Sequence, residues 1–250
     1  MTGKVYLIGA GPGDPDLMTL KAIKALQAAD VVLLDDLVNR EILQHAPQAR
    51  VIEVGKRGGC KSTPQHFINR MMVALAEQGQ TVARLKGGDP FLFGRGGEEM
   101  LELRHAGIPV DVIPGITSGI AVPATIGIPV THRAYTHGVS FVTGHLQDGE
   151  HSQNWKALAE SGTTLVIYMG MKHLHRIVSE LLSAGMSPTT PVAAIQNGSL
   201  PEQQHVISAL EHLPMAVQQA GLASPAIIVV GEVVHLAHGK ELLDSISIAA

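Results

Sequence analysis

The sequence predicts an α/β protein of two domains, residues 1–134 and 135–250, facing each other across a cleft. Three observations lead there. Short β-rich runs alternate with helical stretches along most of the chain. Several of those runs are apolar without interruption, as in strands buried on both faces of a parallel sheet. Glycine-rich turns follow directly on them, at Gly9 to Gly13, Gly55 to Gly59 and Gly87 to Gly97.

Each element has its own signal. Lys4 to Gly9 is a first strand that runs out into Gly9-Ala10-Gly11-Pro12-Gly13-Asp14. Leu17, Leu20, Ile23 and Leu26 then recur at near-helical spacing. Val31-Val32-Leu33-Leu34 reads as a buried strand, Arg40 to His45 as a polar helix and Val51 to Val54 as a third strand. Thr63-Pro64 has the form of an N-cap followed by proline at the first helical position. The helix it opens carries Phe67, Met71 and Leu75 four apart, with Ile68 and Met72 beside them. Thr81 to Leu85, a helix over 98–105, the short strand Asp111 to Ile113 and a small-residue helix over 117–124 complete the first alternation. The second half repeats the theme, with strands near 139–142, 164–168, 192–195, 205–207 and 226–230. Helices near 154–160, 172–183 and 209–220 separate them.

Bulk properties exclude some classes. The chain has 45% hydrophobic and 16% charged residues, with aromatics scarce at 3%, so its core is aliphatic. No apolar run approaches the ~18 residues of a membrane span, and no leader pattern opens the chain. A single cysteine, Cys60, allows no intrachain disulfide and fits the cytoplasm. Residues 1–135 carry 14 of the 18 Lys and Arg residues against 13 of the 22 acids, whereas 136–250 carry 4 and 9. The first half therefore holds most of the groups suited to an anionic ligand. Nothing resembles a basic stripe for nucleic acid.

The densest motif is Arg-Leu-Lys-Gly-Gly-Asp-Pro-Phe-Leu-Phe-Gly-Arg-Gly-Gly-Glu-Glu at 84–99. Five glycines around one aspartate, with apolar Phe91, Leu92 and Phe93 between, suit close approach of a ligand to backbone. Gly9 to Gly13 falls short of a dinucleotide fingerprint, because Asp14 stands where the third glycine belongs and Pro12 lacks an N–H. A turn with one wall facing a ligand describes it better. Asp35 and Asp36 lie where a strand ends, the edge at which open α/β sheets bind ligands. Strand alternation sends the two side chains to opposite sides, so one faces the ligand or both are solvated or capping groups. Lys56, Arg57 and Lys61 gather around Gly55, Gly58 and Gly59, as an anion site or a plain basic loop. His173 with His175, and His235 with His238, lack a third ligand at metal-binding spacing.

Together these segments, with Pro114-Gly-Ile-Thr117, Gly127-Ile-Pro-Val-Thr-His-Arg133, Val142-Thr-Gly-His145 and Tyr168-Met-Gly170, resemble the uroporphyrinogen III C-methyltransferase family. This family lies within the tetrapyrrole methylase class. The resemblance runs over nearly the whole chain. It implies the tetrapyrrole methylase fold, in a homodimer, with S-adenosyl-L-methionine in the cleft and no metal. It also implies methylation of uroporphyrinogen III at C2 and then C7, giving precorrin-2 and S-adenosyl-L-homocysteine. Precorrin-2 leads to sirohaem, cobalamin or haem d1. A methylase for a later precorrin, or a nucleotide-binding module without catalysis, are the competing readings.

Carried over by position, the resemblance implies cofactor contacts from Pro12, Gly87, Gly88, Asp89, Leu92, Thr117, Ser118, Met169 and Gly198. It makes Asp35 the proton acceptor and Lys56 the proton donor. Arg95, Glu98 and Arg133 stand near the tetrapyrrole.

Overall fold

The computed structural model describes residues 2–55, 63–145 and 153–237. Contacts divide the chain into two units, Met1–Thr117 and Ser118–Ala250. The division comes before the expected residue 134 because the segment after Thr117 packs with later strands. Val122, Ile126 and Ile128 share one buried cluster with Val166, Ile195 and Val229.

The first unit is a five-stranded sheet built from β1 (Lys4–Gly9), β2 (Val31–Leu34), β3 (Arg50–Glu53), β4 (Thr81–Lys86) and β5 (Val110–Ile113). Their order is β3-β2-β4-β1-β5, and every pair is parallel. The helices are α1 (Leu20–Gln27), α2 (Gln65–Glu77) and α3 (Gly96–His105). Strand alternation separates two cores. Val32, Leu34, Ala83 and Leu85 join Ala22 and Leu26 of α1 on one face. Val31, Leu33 and Val82 join Ile68 and Met72 of α2 and Leu103 of α3 on the other. The uninterrupted apolar runs thus have their expected cause.

Local details differ from the sequence reading. Pro64 itself is the N-cap of α2, which starts at Gln65, and it makes no side-chain capping bond. The buried stripe of α2 runs through Ile68, Met72 and Leu75, leaving Phe67 exposed. The 40–45 segment is a 3-10 helix capped by the Asn39 side chain.

The second unit holds α4 (Ser118–Thr125), β6 (Val139–Thr143), α5 (Trp155–Glu160), β7 (Thr164–Tyr168), α6 (Leu174–Ser183), β8 (Pro191–Gln196), β9 (Gln204–Ala209), α7 (Leu213–Gln219) and β10 (Ala226–Val230). Its sheet, ordered β6-β7-β10-β8-β9, does not repeat the all-parallel theme. Only β6 and β7 pair in parallel; β10 runs antiparallel to both neighbours, and β8 and β9 form an antiparallel pair. The physical reason is the link between β8 and β9, residues 197–203. A parallel return needs a crossover of about a dozen residues or more, whereas an antiparallel one needs only a turn. Among the described residues no helix is long and apolar enough to cross a membrane.

Candidate functional site

Because all five strands of the first sheet are parallel, the segments that follow them leave from one edge. In sheet order these begin at Val54, Asp35, Gly87, Ala10 and Pro114. The motifs at 9–14, 35–36, 84–99 and 114–117 therefore all lie at the carboxyl edge of one sheet.

Glycine backbones interlock there. A Cβ on Gly9 would run into the backbone of Gly115 and the carbonyl of Gly88, and one on Gly115 would meet Gly88 and Gly9. Gly11 and Gly88 exchange N–H···O bonds of 3.2 and 2.7 Å, and both have positive φ, +78° and +66°. The Gly9 to Gly13 segment is thus a turn clamped onto Gly88, as its departure from the dinucleotide fingerprint suggested. Gly87 faces outward by comparison: a Cβ there would lie 3.3 Å from Cβ of exposed Leu37. Asp89 ties the edge together. Its Oδ1 accepts from Phe91 N–H at 2.8 Å, and its Oδ2 from Gly115 N–H at 3.2 Å.

Beyond Asp89 the chain is bent by two non-glycine residues at positive φ, Phe93 (+54°) and Arg95 (+58°). Such conformations cost of order 1–3 kcal/mol each and cluster at functional sites. Arg95 precedes α3 and turns its guanidinium onto Glu98, with Nη2 2.6 Å and Nε 3.1 Å from Oε2. This pairing holds the Glu98 carboxyl below its ordinary value. Both side chains are more than half exposed, so the pair is a presented one rather than a structural lock.

Behind the edge lies a charge network that the sequence reading missed. Alternation puts Arg84 and Lys86 of β4 on the same face as Val82, beneath α2 and α3. Both are almost fully buried. Arg84 donates from Nη2 to Oδ2 of Asp35 (3.2 Å), from Nε to Oε1 of Glu99 (3.3 Å) and from Nη1 to the Leu85 carbonyl (3.1 Å). Lys86 Nζ donates to the same Glu99 oxygen at 3.2 Å, and Gln65 Nε2 to it at 2.8 Å. Burial, with Arg84 alongside, pushes the Lys86 amine below the usual lysine value, against the pull of Glu99 and Asp35. Two cations on one face of a central strand were the available signal, since buried charges require partners.

Asp35 is the end of this network that reaches solvent, with 35% of its side chain exposed. Its Oδ1 accepts from Asp36 N–H at 3.0 Å. Asp36 is exposed, and its backbone lies against Gly55, where a Cβ would collide with it. Lys56, the expected proton donor, lies outside the described residues, as do Arg57, Cys60 and Lys61.

The remaining candidates have varied settings. Pro12 and Leu92 are half-buried, Thr117 is buried and Arg133 is exposed. In the second unit Ser118 opens α4, and Met169, just past β7, is 52% exposed at φ +55°. Gly198 is buried between Asn197 and Ser199, both also at positive φ. Its missing side chain makes room for Val122 of α4, a packing role the sequence did not signal. Nearby, Gly119 N–H of α4 donates to the Tyr168 hydroxyl at 2.7 Å.

A family model described as tetrapyrrole (corrin/porphyrin) methylases matches residues 4–214. A uroporphyrinogen-III C-methyltransferase of Pseudomonas fluorescens is 53% identical over 93% of this chain and 94% of its own. The crystal structure of a Thermus thermophilus uroporphyrin-III C-methyl transferase complexed with S-adenosyl homocysteine is 40% identical, with a TM-score of 0.80 over 93% of each chain. A cobalt precorrin-4 methyltransferase superposes as well, with a TM-score of 0.81 over 92% of this chain and 95% of its own, but at 29% identity.

Proposed function

This chain belongs to the tetrapyrrole methylases, and from that premise we propose that it is an S-adenosyl-L-methionine-dependent C-methyltransferase acting on uroporphyrinogen III. Methylation at C2 and then C7 gives precorrin-2 and two S-adenosyl-L-homocysteine. The observation that carries this reading is the gathering of Asp35, Gly87, Gly88, Asp89 and the Arg95–Glu98 pair around the carboxyl edge of one parallel sheet. The 53% identical relative supports the first-step substrate over a later precorrin.

The residues present fit the cofactor. Gly87 leaves a space that a side chain would fill, and Pro12 and Leu92 offer apolar wall. Each Asp89 oxygen has one backbone donor, and a carboxylate has about four acceptor sites, so it has capacity for a cationic amine or a ribose hydroxyl. The family resemblance adds Thr117, Ser118, Met169 and Gly198 as further cofactor contacts. When bound, the cofactor supplies an electrophilic methyl group on a sulfonium.

The chain supplies alignment and proton handling. In-line displacement depends on holding the reacting atoms in place. Asp35, anchored by Arg84 on one oxygen and by Asp36 N–H on the other, accepts a proton as cationic charge leaves the methylated pyrrole. Lys56 returns one. Arg95 and Arg133 bind substrate carboxylates, and Glu98 holds the Arg95 fork ready until one arrives. Arg95→Lys is therefore expected to reduce turnover with cofactor affinity within twofold, because an ammonium cannot copy the planar fork. Equal loss of both would move Arg95 out of substrate binding.

The same proposal takes the working form to be a cytoplasmic homodimer, with no nucleic-acid or membrane partner. Its support is the family resemblance, the lone cysteine and the absence of a basic stripe in the sequence. Light scattering measures the dimer directly. Calorimetric titration tests the cofactor: S-adenosylhomocysteine is expected to bind and NAD not to. The reverse result would make the chain a nucleotide-binding module of another kind.

A further inference from the structure

Glu99 is wholly buried at the first turn of α3, yet it accepts three donors on one oxygen and none, among the described residues, on the other. Such lopsided use shows what the residue is built to hold. Its Oε1 sits where Arg84, Lys86 and Gln65 converge, and Arg84 is the only one of the three that reaches on to Asp35. The Arg84 guanidinium is thereby fixed on three sides: Nε to Glu99, Nη1 to the Leu85 carbonyl and Nη2 to Asp35. An arginine cannot shed its charge to relieve a lost partner, whereas a buried lysine can. Without the Glu99 charge, Lys86 can release its proton, but Arg84 must find another anion or reorient.

We propose that Glu99 is a positioning residue for methyl transfer, setting through Arg84 the place of the Asp35 carboxylate. The inference rests on the role given to Asp35 above. It makes the sheet-facing side of α3, not only its exposed Arg95–Glu98 end, part of the catalytic apparatus. Glu98 and Glu99 then divide the work, one facing substrate and the other holding the base from behind.

The test is a double-mutant cycle on the purified full chain, with uroporphyrinogen III and S-adenosylmethionine as substrates. Glu99→Gln keeps the shape and removes the charge. It is expected to lower kcat about tenfold, within the range of coupling found for residues of one network, with S-adenosylhomocysteine affinity within twofold. Introduced into Asp35→Asn, the same substitution is expected to lower kcat less than twofold, because the group it positions is already gone. Equal losses in both backgrounds would overturn the proposal, as would an unchanged kcat in the first. So would a parallel loss of cofactor affinity, the mark of a purely structural role. If Asp35→Asn by itself cost less than tenfold, the assignment of Asp35 would fail as the premise, and this inference with it. Should Glu99→Gln not fold, the charge-balanced pair Glu99→Gln with Lys86→Met carries the same comparison.

Discussion

Asp35→Asn is expected to lower methylation by about 10²–10⁴-fold, the usual value of a positioned proton-transfer group. Asp36→Asn is expected to change it little, and both variants should bind S-adenosylhomocysteine nearly as the parent does. The asymmetry follows from β2. Val31 and Leu33 face the α2 and α3 side of the sheet and Val32 and Leu34 the α1 side, so alternation carries Asp35 toward Arg84. Asp36 falls to the other side and is exposed. Steady-state rates on both variants check the prediction, with melting temperatures as a control because asparagine leaves buried Arg84 a weaker partner. A loss below tenfold would reduce Asp35 to a positioning role. A worse result for Asp36→Asn would contradict the strand register.

The second large effect is expected at Gly87. Gly88 is the poorer probe, since at φ +66° any branched side chain is strained and its backbone is locked to Gly11. Gly87 carries no such conformational demand. Among the described residues an added Cβ would meet only Leu37, 3.3 Å from its Cβ and 3.8 Å from its carbonyl oxygen, a contact that a shift of a few tenths of an ångström at this exposed residue relieves. Gly87→Val should therefore fold, with a melting temperature within a few degrees of the parent. Affinity for S-adenosylhomocysteine should fall by at least about 100-fold, or ~2.8 kcal/mol. Titration calorimetry reads this directly. Full affinity in a folded Gly87→Val chain would remove the glycine segment from the cofactor site.

Much of the first unit was legible because its strands are buried on both faces, so that uninterrupted runs such as Val31 to Leu34 admit few other readings. The motif edge was legible for a related reason: glycines and Asp35 follow directly on those strands. The second sheet was not, because apolar strands such as β8 and β10 look alike whether their neighbours run parallel or antiparallel. Only the short 197–203 link distinguishes the cases. Arg84 and Glu99 fell within the expected strand 81–85 and helix 98–105, and Lys86 just past that strand, but nothing in local spacing shows that the three side chains meet. Gly198 was expected only as a cofactor contact implied by resemblance, and the room its missing side chain gives to Val122 had no local signal. In each case a tertiary neighbour, invisible in local spacing, determines what the residue touches.

The central claim is tested most directly by incubating the chain with uroporphyrinogen III and excess S-adenosylmethionine and counting added methyl groups by mass. The account predicts a product carrying two, formed through a singly methylated species, with two S-adenosylhomocysteine released per tetrapyrrole. Binding of the cofactor with no methyl transfer to uroporphyrinogen III, or transfer only to an already methylated precorrin, would contradict it.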